Sequence, residues 1–303
     1  MDRALKNIPH SIHDRLLRIS KEQNQDFNLT LIQFVAERFL FRLGRSEYRQ
    51  RFILKGAMLL AVTLEDQQYR PTKDVDFLRN GTVDPVGILN DILIICLIDD
   101  ASDGLNFDTN DATIEEIREH NLYQGLRVKI PVLLGKAKVS LQIDVGLGDA
   151  VHPAPEEIHI PSILGQDEPD ILAYPLQSVI AEKLEAIVSI GMITSRMKDF
   201  YDLYAIATTQ VLDSSDLLLA IEATFSRRQT NMPAEVPEVL SDKLAKDSTK
   251  RAQWAAFLRR IERSPAKFPL ETVLPVVRDL ASIMWDQRLK RHVSTWEPKR
   301  GWN

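Results

Sequence analysis

Apolar residues recur at three- and four-residue spacing along the first part of the chain, and this pattern predicts helices. Residues 11–25 place Ile12, Leu16 and Ile19 on one helical face. A second, longer helix, capped by Asn28, runs through LTLIQFVAERFLFRLGRS, with Leu31, Phe34, Val35, Arg38 and Phe39 at spacings of three and four. Gly44 and Ser46 end it. A short extended stretch follows at 51–54, then a helix over 57–64 with Gly56 at its mouth. At 73–78 the period changes to two: Val75 and Phe77 alternate with Asp74 and Asp76, which marks a half-buried strand.

Downstream, residues 86–96 read as a helix and 105–109 as a short strand. Residues 123–134 and 138–145 read as two long strands joined at Gly135 in a hairpin. In the second of these, Leu141, Ile143 and Val145 share one face, and Ser140, Gln142 and Asp144 share the other. The proline-rich run HPAPEEIHIPSILGQDEP marks a connection. From Leu176 onward the pattern is helical. The helix over 176–189 turns Val179, Ile180, Leu184 and Ile187 to a core, and Gly191 breaks it. Thr194 or Ser195 then caps the helix SRMKDFYDLYAIA, whose stripe is Phe200, Leu203, Tyr204 and Ala207. The basic end, LKRHVSTWEPKRGWN, is expected to fray in part. The pattern as a whole predicts an α/β region over residues 1–172, N-terminal helices included, followed by a helical domain over 173–303.

Composition narrows the class. The chain has 303 residues, 44% hydrophobic and 27% charged, which is ordinary for a soluble globular protein with room for two cores. Its single cysteine, Cys96, lies in the apolar run ILIICLI, so no intrachain disulfide forms and a reducing compartment is expected. The first twenty residues lack the apolar core of a signal peptide, and ILNDILIICLI is too short and interrupted to span a bilayer. A cytoplasmic protein with no membrane association is expected. The net charge of −5 excludes a polycation built to grip nucleic acid. The charge is uneven, however: RFLFRLGRSEYRQRFILK is rich in arginine and residues 99–119 are acidic. A local basic face binds RNA whatever the total charge, and Arg42, Arg45, Arg49 and the pair Arg227–Arg228 are candidates for such contacts. The plainer alternative is a solvated arginine-rich helix.

The candidate chemistry begins with Asp74 and Asp76. Two residues apart on a strand, they leave the same face, and two anions side by side repel unless a cation lies between them. Mg²⁺ suits that position, since it takes carboxylate oxygens and completes its shell with water and phosphate. Asp144, an aspartate among apolar β-branched neighbours, is the candidate for a third carboxylate. Gly56 at a helix start is a place for phosphate. These features read as a metal-dependent enzyme acting on a nucleoside triphosphate; the bland alternatives are a surface Asp-x-Asp and a tight-turn glycine. In the helical region, Lys183 lies among core positions, and Asp199 and Lys198 each share a face with Asp202. Lys183 and Lys198 are the natural cations for a triphosphate. Otherwise Lys183 snorkels, and Lys198–Asp202 is a solvent pair worth a few tenths of a kcal/mol.

The ordered segments ERFLFRLGRSEYRQRFILKGAMLL, RPTKDVDFL, LQIDVGLGDAV and AEKLEAIVSIGMITSRMKDFYDLY resemble the AbiEii/AbiGii-type toxin nucleotidyltransferases of bacterial toxin–antitoxin and abortive-infection modules. The resemblance covers roughly residues 30–230. It implies a polymerase-β-like nucleotidyltransferase domain with a mixed sheet, then a helical domain, with the active site between them. By position, Lys55, Gly56 and Ala57 would cradle the triphosphate, and Asp74 and Asp76 would hold Mg²⁺. Arg70 and Thr72 match polar residues ahead of the aspartate pair, Lys183 the family's lysine, and Asp199 the acidic residue of its Lys-Asp-x-Tyr-Asp motif. Asp144 would help hold a second metal or deprotonate the acceptor. Many superfamily members have Gly-Gly or Gly-Ser where this chain has Gly56-Ala57, so a hydroxyl contact from position 57 is excluded. The implied reaction is transfer of a nucleoside monophosphate to the acceptor end of transfer RNA by a monomeric toxin with a cognate antitoxin. A hydroxyl of a protein is the alternative acceptor, and an inactive interaction scaffold the alternative of another class.

Overall fold

In the computed structural model, which describes residues 8–64, 70–81, 84–100, 102–119 and 123–303, the chain divides into two units. The first comprises Met1–Val62, Pro71–Gly148 and Glu156–Ala173; the second comprises Thr63–Arg70, Asp149–Pro155 and Tyr174–Asn303. The first unit opens with helices α1 (Ile8–Glu22) and α2 (Phe27–Gly44). Strand β1 (Phe52–Lys55), helix α3 (Gly56–Thr63), strand β2 (Asp74–Arg79) and helix α4 (Pro85–Cys96) follow. Next come β3 (Leu105–Phe107), β4 (Thr113–Glu119), β5 (Tyr123–Leu134), β6 (Ala137–Leu147), β7 (Glu156–His159) and β8 (Asp170–Ala173). The cap of α2 is Asp26, not Asn28: its carboxylate accepts from the Leu29 N–H at 3.0 Å.

These strands form one mixed sheet in the order β3-β5-β6-β2-β1-β8-β7, with β4 paired to β5. The pairs β2–β6 and β1–β8 are parallel and the others antiparallel. Alternation gives the sheet two unlike faces. On one, Val75, Phe77, Val128, Ile130, Ile143 and Val145 are fully buried, and Phe77 meets Phe39 of α2 and Phe52 of β1 edge-on at 6.2 and 5.6 Å. The other face carries Asp74, Asp76, Arg127 and Asp144. The acidic segment contributes β4, and the proline-rich run, read from sequence as a connection alone, contributes edge strand β7. Its prolines, among them Pro153, Pro155 and Pro161, flank the strand and do not enter its ladder.

The arginine-rich helix is not a solvated face. Arg38 is buried and bonds Asp100 at 2.6 Å and the Asp167 carbonyl at 3.0 Å. Arg42 is buried too, and reaches Asp103 at 2.6 Å and the Ile98 carbonyl at 3.0 Å. The basic and acidic blocks of the sequence thus neutralise each other within one fold. Burial raises the Asp103 carboxyl above its ordinary value, with Arg42 opposing. Deleting one partner of such a buried pair costs about 3–5 kcal/mol, because the other charge stays desolvated. Arg49 pairs with Glu157, and Arg45 remains exposed. The proposed RNA-binding triad of Arg42, Arg45 and Arg49 therefore loses its first member to the core. Cys96 is buried, and desolvation pushes its thiol up to about 12.

The second unit is helical: α5 (Leu176–Ile190), α6 (Met197–Thr209), α7 (Ser214–Arg227), α8 (Asp242–Lys246), α9 (Ser248–Arg260), α10 (Leu270–Ala281) and α11 (Gln287–Arg291). A three-stranded sheet, β9 (Leu212–Asp213), β10 (Thr295–Glu297) and β11 (Gly301–Trp302), completes it in the order β11-β10-β9. The C-terminal end therefore does not fray. Buried Trp296 donates its indole N–H to the Ala207 carbonyl at 2.8 Å and stacks edge-on with Trp302. Neither Thr194 nor Ser195 caps α6; the N-cap position is Arg196, whose backbone N–H donates to Thr194 Oγ1 at 3.1 Å. Arg228, a candidate RNA contact, has its side chain buried against Glu185 at 2.8 Å and Asp149 at 3.3 Å, while Arg227 is exposed. Among the described residues no helix is long and apolar enough to cross a membrane.

Candidate active site

Two constellations of chemistry-bearing residues stand out, one in each unit. In the first, strands β2 and β6 run parallel with Asp76 opposite Asp144, and Asp74 lies two residues before Asp76 on the same face. Carboxylate oxygens of Asp74, Asp76 and Asp144 all lie within 4.8 Å of one another, and each residue is partly exposed. Three hard oxygen donors so placed suit a divalent cation such as Mg²⁺. Thr72 Oγ1 donates to the Asp74 carboxylate and holds its rotamer.

Gly56 owes its identity to this centre. It adopts φ +78°, and a Cβ there would lie 1.9 Å from Asp76 Oδ2. Any side chain would collide with the carboxylate, so only glycine lets β1 turn into α3 at this point. Lys55, the last residue of β1, is in register with Asp76, and Ala57 is buried in the first turn of α3. The residues expected to cradle phosphate therefore adjoin the expected metal ligands.

A residue not singled out from sequence completes the row. Arg127 of β5 lies opposite Asp144 in the hairpin register and binds both its oxygens, Nε to Oδ1 at 2.8 Å and Nη2 to Oδ2 at 2.7 Å. This bidentate contact, strengthened by the attraction of the carboxylate, raises the Arg127 pKa above its ordinary value. The signal for it was available: the two-residue turn pairs Leu134 with Ala137, and counting back along both strands places 127 against 144.

In the second unit, α5 and α6 bring Lys183 to Asp199 at 3.1 Å and to Asp202 at 2.6 Å. Asp202 also accepts both Nε and Nη2 of Arg70, at 2.9 and 3.1 Å, and Asp199 pairs with Arg196. Both aspartates are fully buried. Burial pushes their carboxyls up, but Lys183, with Arg70 on Asp202 and Arg196 on Asp199, outweighs it and holds both below the usual range. Burial pushes the Lys183 ammonium down, and Asp202 and Asp199 outweigh that and hold it up. Lys183 is therefore not a snorkelling lysine. Lys198 is exposed whereas Asp202 is buried and turned to Lys183 and Arg70, so the four-residue spacing creates no salt bridge of the expected kind. Asp202, expected beside Lys198, belongs to this network instead, and Arg196 joins it through Asp199.

The structure thus gathers Lys55, Gly56, Ala57, Thr72, Asp74, Asp76 and Asp144 in the first unit, and Arg70, Lys183 and Asp199 in a network of the second, with Lys198 on its surface.

A family model described as "Nucleotidyl transferase AbiEii toxin, Type IV TA system" matches residues 38–283. No curated protein sequence is significantly similar to the chain. Among solved structures, one from H. pylori described as a candidate nucleotidyltransferase has a TM-score of 0.44 at 14% identity, covering 86% of this chain and 97% of that one. JHP933 from Helicobacter pylori has a TM-score of 0.43 at 14% identity, covering 86% of this chain and 94% of that one.

Proposed function

Since the chain belongs to the AbiEii family of toxin nucleotidyl transferases, which its model matches over residues 38–283, we propose that it transfers a nucleoside monophosphate from a triphosphate to the acceptor end of a transfer RNA, with Mg²⁺ held by Asp74 and Asp76. The observation that carries this reading is the cluster of three carboxylates on the polar face of the sheet, with oxygens within 4.8 Å. Mg²⁺ bound there supplies Lewis-acid neutralisation of the reacting phosphate and lowers the pKa of an attacking hydroxyl.

The chain's own residues carry the rest. Asp144 is the third carboxylate, serving the cation or taking the acceptor's proton. The N-terminus of α3, opened by Gly56 between Lys55 and Ala57, offers backbone N–H groups to phosphate oxygens. Thr72 fixes Asp74. Lys183 (oriented by Asp199 and Asp202), Arg70 and exposed Lys198 are the cations that the second unit offers a triphosphate. The enzyme acts as a cytoplasmic monomer, with an antitoxin as its regulatory partner. Exposed cations of the C-terminal segment, Arg288, Arg291, Lys299 and Arg300, offer RNA the basic surface that buried Arg38 and Arg42 do not.

One observation favours a second acceptor. With Arg38, Arg42 and Arg228 committed to carboxylates, less basic surface is left for RNA, which suits transfer to a protein hydroxyl. Incubation with each α-labelled triphosphate, Mg²⁺ and either total transfer RNA or a protein extract separates the two. Label on transfer RNA is expected; label confined to protein would replace it with the second reading.

A further inference from the structure

One row across the sheet reads Glu115 on β4, Arg127 on β5, Asp144 on β6, Asp76 on β2 and Lys55 on β1, each in register with the next. Residues directly opposite in neighbouring strands present their side chains to the same face. Within this row two carboxylates, Asp144 and Asp76, stand next to each other with a cation on either side.

Asp144 is already engaged by a cationic side chain. Its Oδ1 accepts Arg127 Nε at 2.8 Å and Gln142 Nε2 at 3.3 Å, and its Oδ2 accepts Arg127 Nη2 at 2.7 Å. A carboxylate offers about four lone-pair positions in all. Three are taken, and those two arginine bonds form the fork that most strongly fixes a carboxylate. A divalent cation drawing on Asp144 as well as Asp74 and Asp76 would lie close to the guanidinium and be repelled by it.

We propose that Arg127 is a built-in competitor for the metal: it holds Asp144 out of the cation's coordination shell in the resting enzyme and thereby sets the affinity of the site. The proposal rests on the metal reading above and deepens it. Asp74 and Asp76 make the resting site, and Asp144 joins only when the arginine lets go. Glu115, which pairs with Lys129 at 2.9 Å, lies on the other side of Arg127 in the same row, and its second oxygen gives the released guanidinium a carboxylate to share. Arg127 acts through Asp144 and is a positioning residue.

Mn²⁺ binding to the intact chain without nucleotide, followed by electron paramagnetic resonance of the free ion, tests this. Arg127→Gln should tighten binding by about tenfold or more, because it removes a nearby positive charge and frees a carboxylate. Adding Asp144→Asn to that variant should abolish the gain, which a double-mutant cycle measures as coupling between the two positions. Arg127→Lys, which keeps the charge but loses the fork, should tighten binding less and guards against misfolding of the glutamine variant. Unchanged or weaker Mn²⁺ binding in folded Arg127→Gln and Arg127→Lys overturns the proposal. Asp74→Asn is the control that keeps the two readings apart. If it leaves Mn²⁺ binding intact, the metal assignment itself fails; if it abolishes binding while Arg127→Gln changes nothing, only the role of Arg127 fails.

Discussion

Asp76→Asn is expected to lower nucleotidyl transfer by at least about a hundredfold, since a bound metal contributes several kcal/mol of transition-state stabilisation. The fold should survive. Asn preserves the shape that Gly56 is built to accommodate, and it lowers the negative charge where three carboxylates bring their oxygens within 4.8 Å of one another. Thermal stability measured in EDTA should be equal to or higher than that of wild type, whereas the stabilisation that wild type gains from Mg²⁺ should vanish. This pairing of lost activity with undiminished apo stability separates a metal ligand from a structural aspartate, whose loss would lower both. Full transfer by Asp76→Asn would remove the metal assignment.

Lys183→Met has the other large effect, and here stability should fall together with activity. Lys183 bridges two aspartates that are both fully buried, and removing one member of a buried ionic network costs about 3–5 kcal/mol. The pH dependence follows from the direction of each shift. Asp199 and Asp202 titrate below their unfolded values. Their contribution is therefore complete above about pH 4 and is lost as pH falls through their folded values. Lys183 titrates above its unfolded value. Its contribution is complete below about pH 10 and is lost as pH rises further. Wild-type stability from this network should be flat between these limits. Urea unfolding as a function of pH should show the gap between wild type and Lys183→Met narrowing below about pH 4, where protonation of the carboxylates removes what the lysine stabilises. A gap that stays constant down to low pH would mean that the network is not held together by these charges.

The sequence made the metal cluster legible because strand periodicity is a local property. Asp74 and Asp76 around Val75, and Asp144 between Ile143 and Val145, could each be placed on a face from its own segment. Arg127 needed one further step, pairing of the two strands through the turn at Gly135. Nothing local reveals that Arg38 and Arg42 meet Asp100 and Asp103 some sixty residues later. Charge blocks read in isolation look like surfaces, and only the packing of α2 shows that they cancel. The C-terminal strands escaped for a similar reason: a basic run of about fifteen residues has little apolar pattern, and its order comes from Trp296 lying under α6. Lys183 was ambiguous between a buried cation and a snorkelling one until Asp199 and Asp202 were seen to be buried with it. The four-residue spacing of Lys198 and Asp202 gave a false pairing, since the helix turns one residue to solvent and the other to the core.

In the proposed reaction an acceptor hydroxyl attacks the α-phosphate of a nucleoside triphosphate, pyrophosphate leaves, and a cation held by Asp74 and Asp76 is required. Parallel reactions with α-labelled and γ-labelled triphosphate, each with Mg²⁺ and with EDTA, test it most directly. The α label should pass to the acceptor and the γ label should leave in pyrophosphate, in wild type with Mg²⁺ only and not in Asp76→Asn. Transfer of the γ label to the acceptor, or transfer of the α label that persists in EDTA, would contradict it.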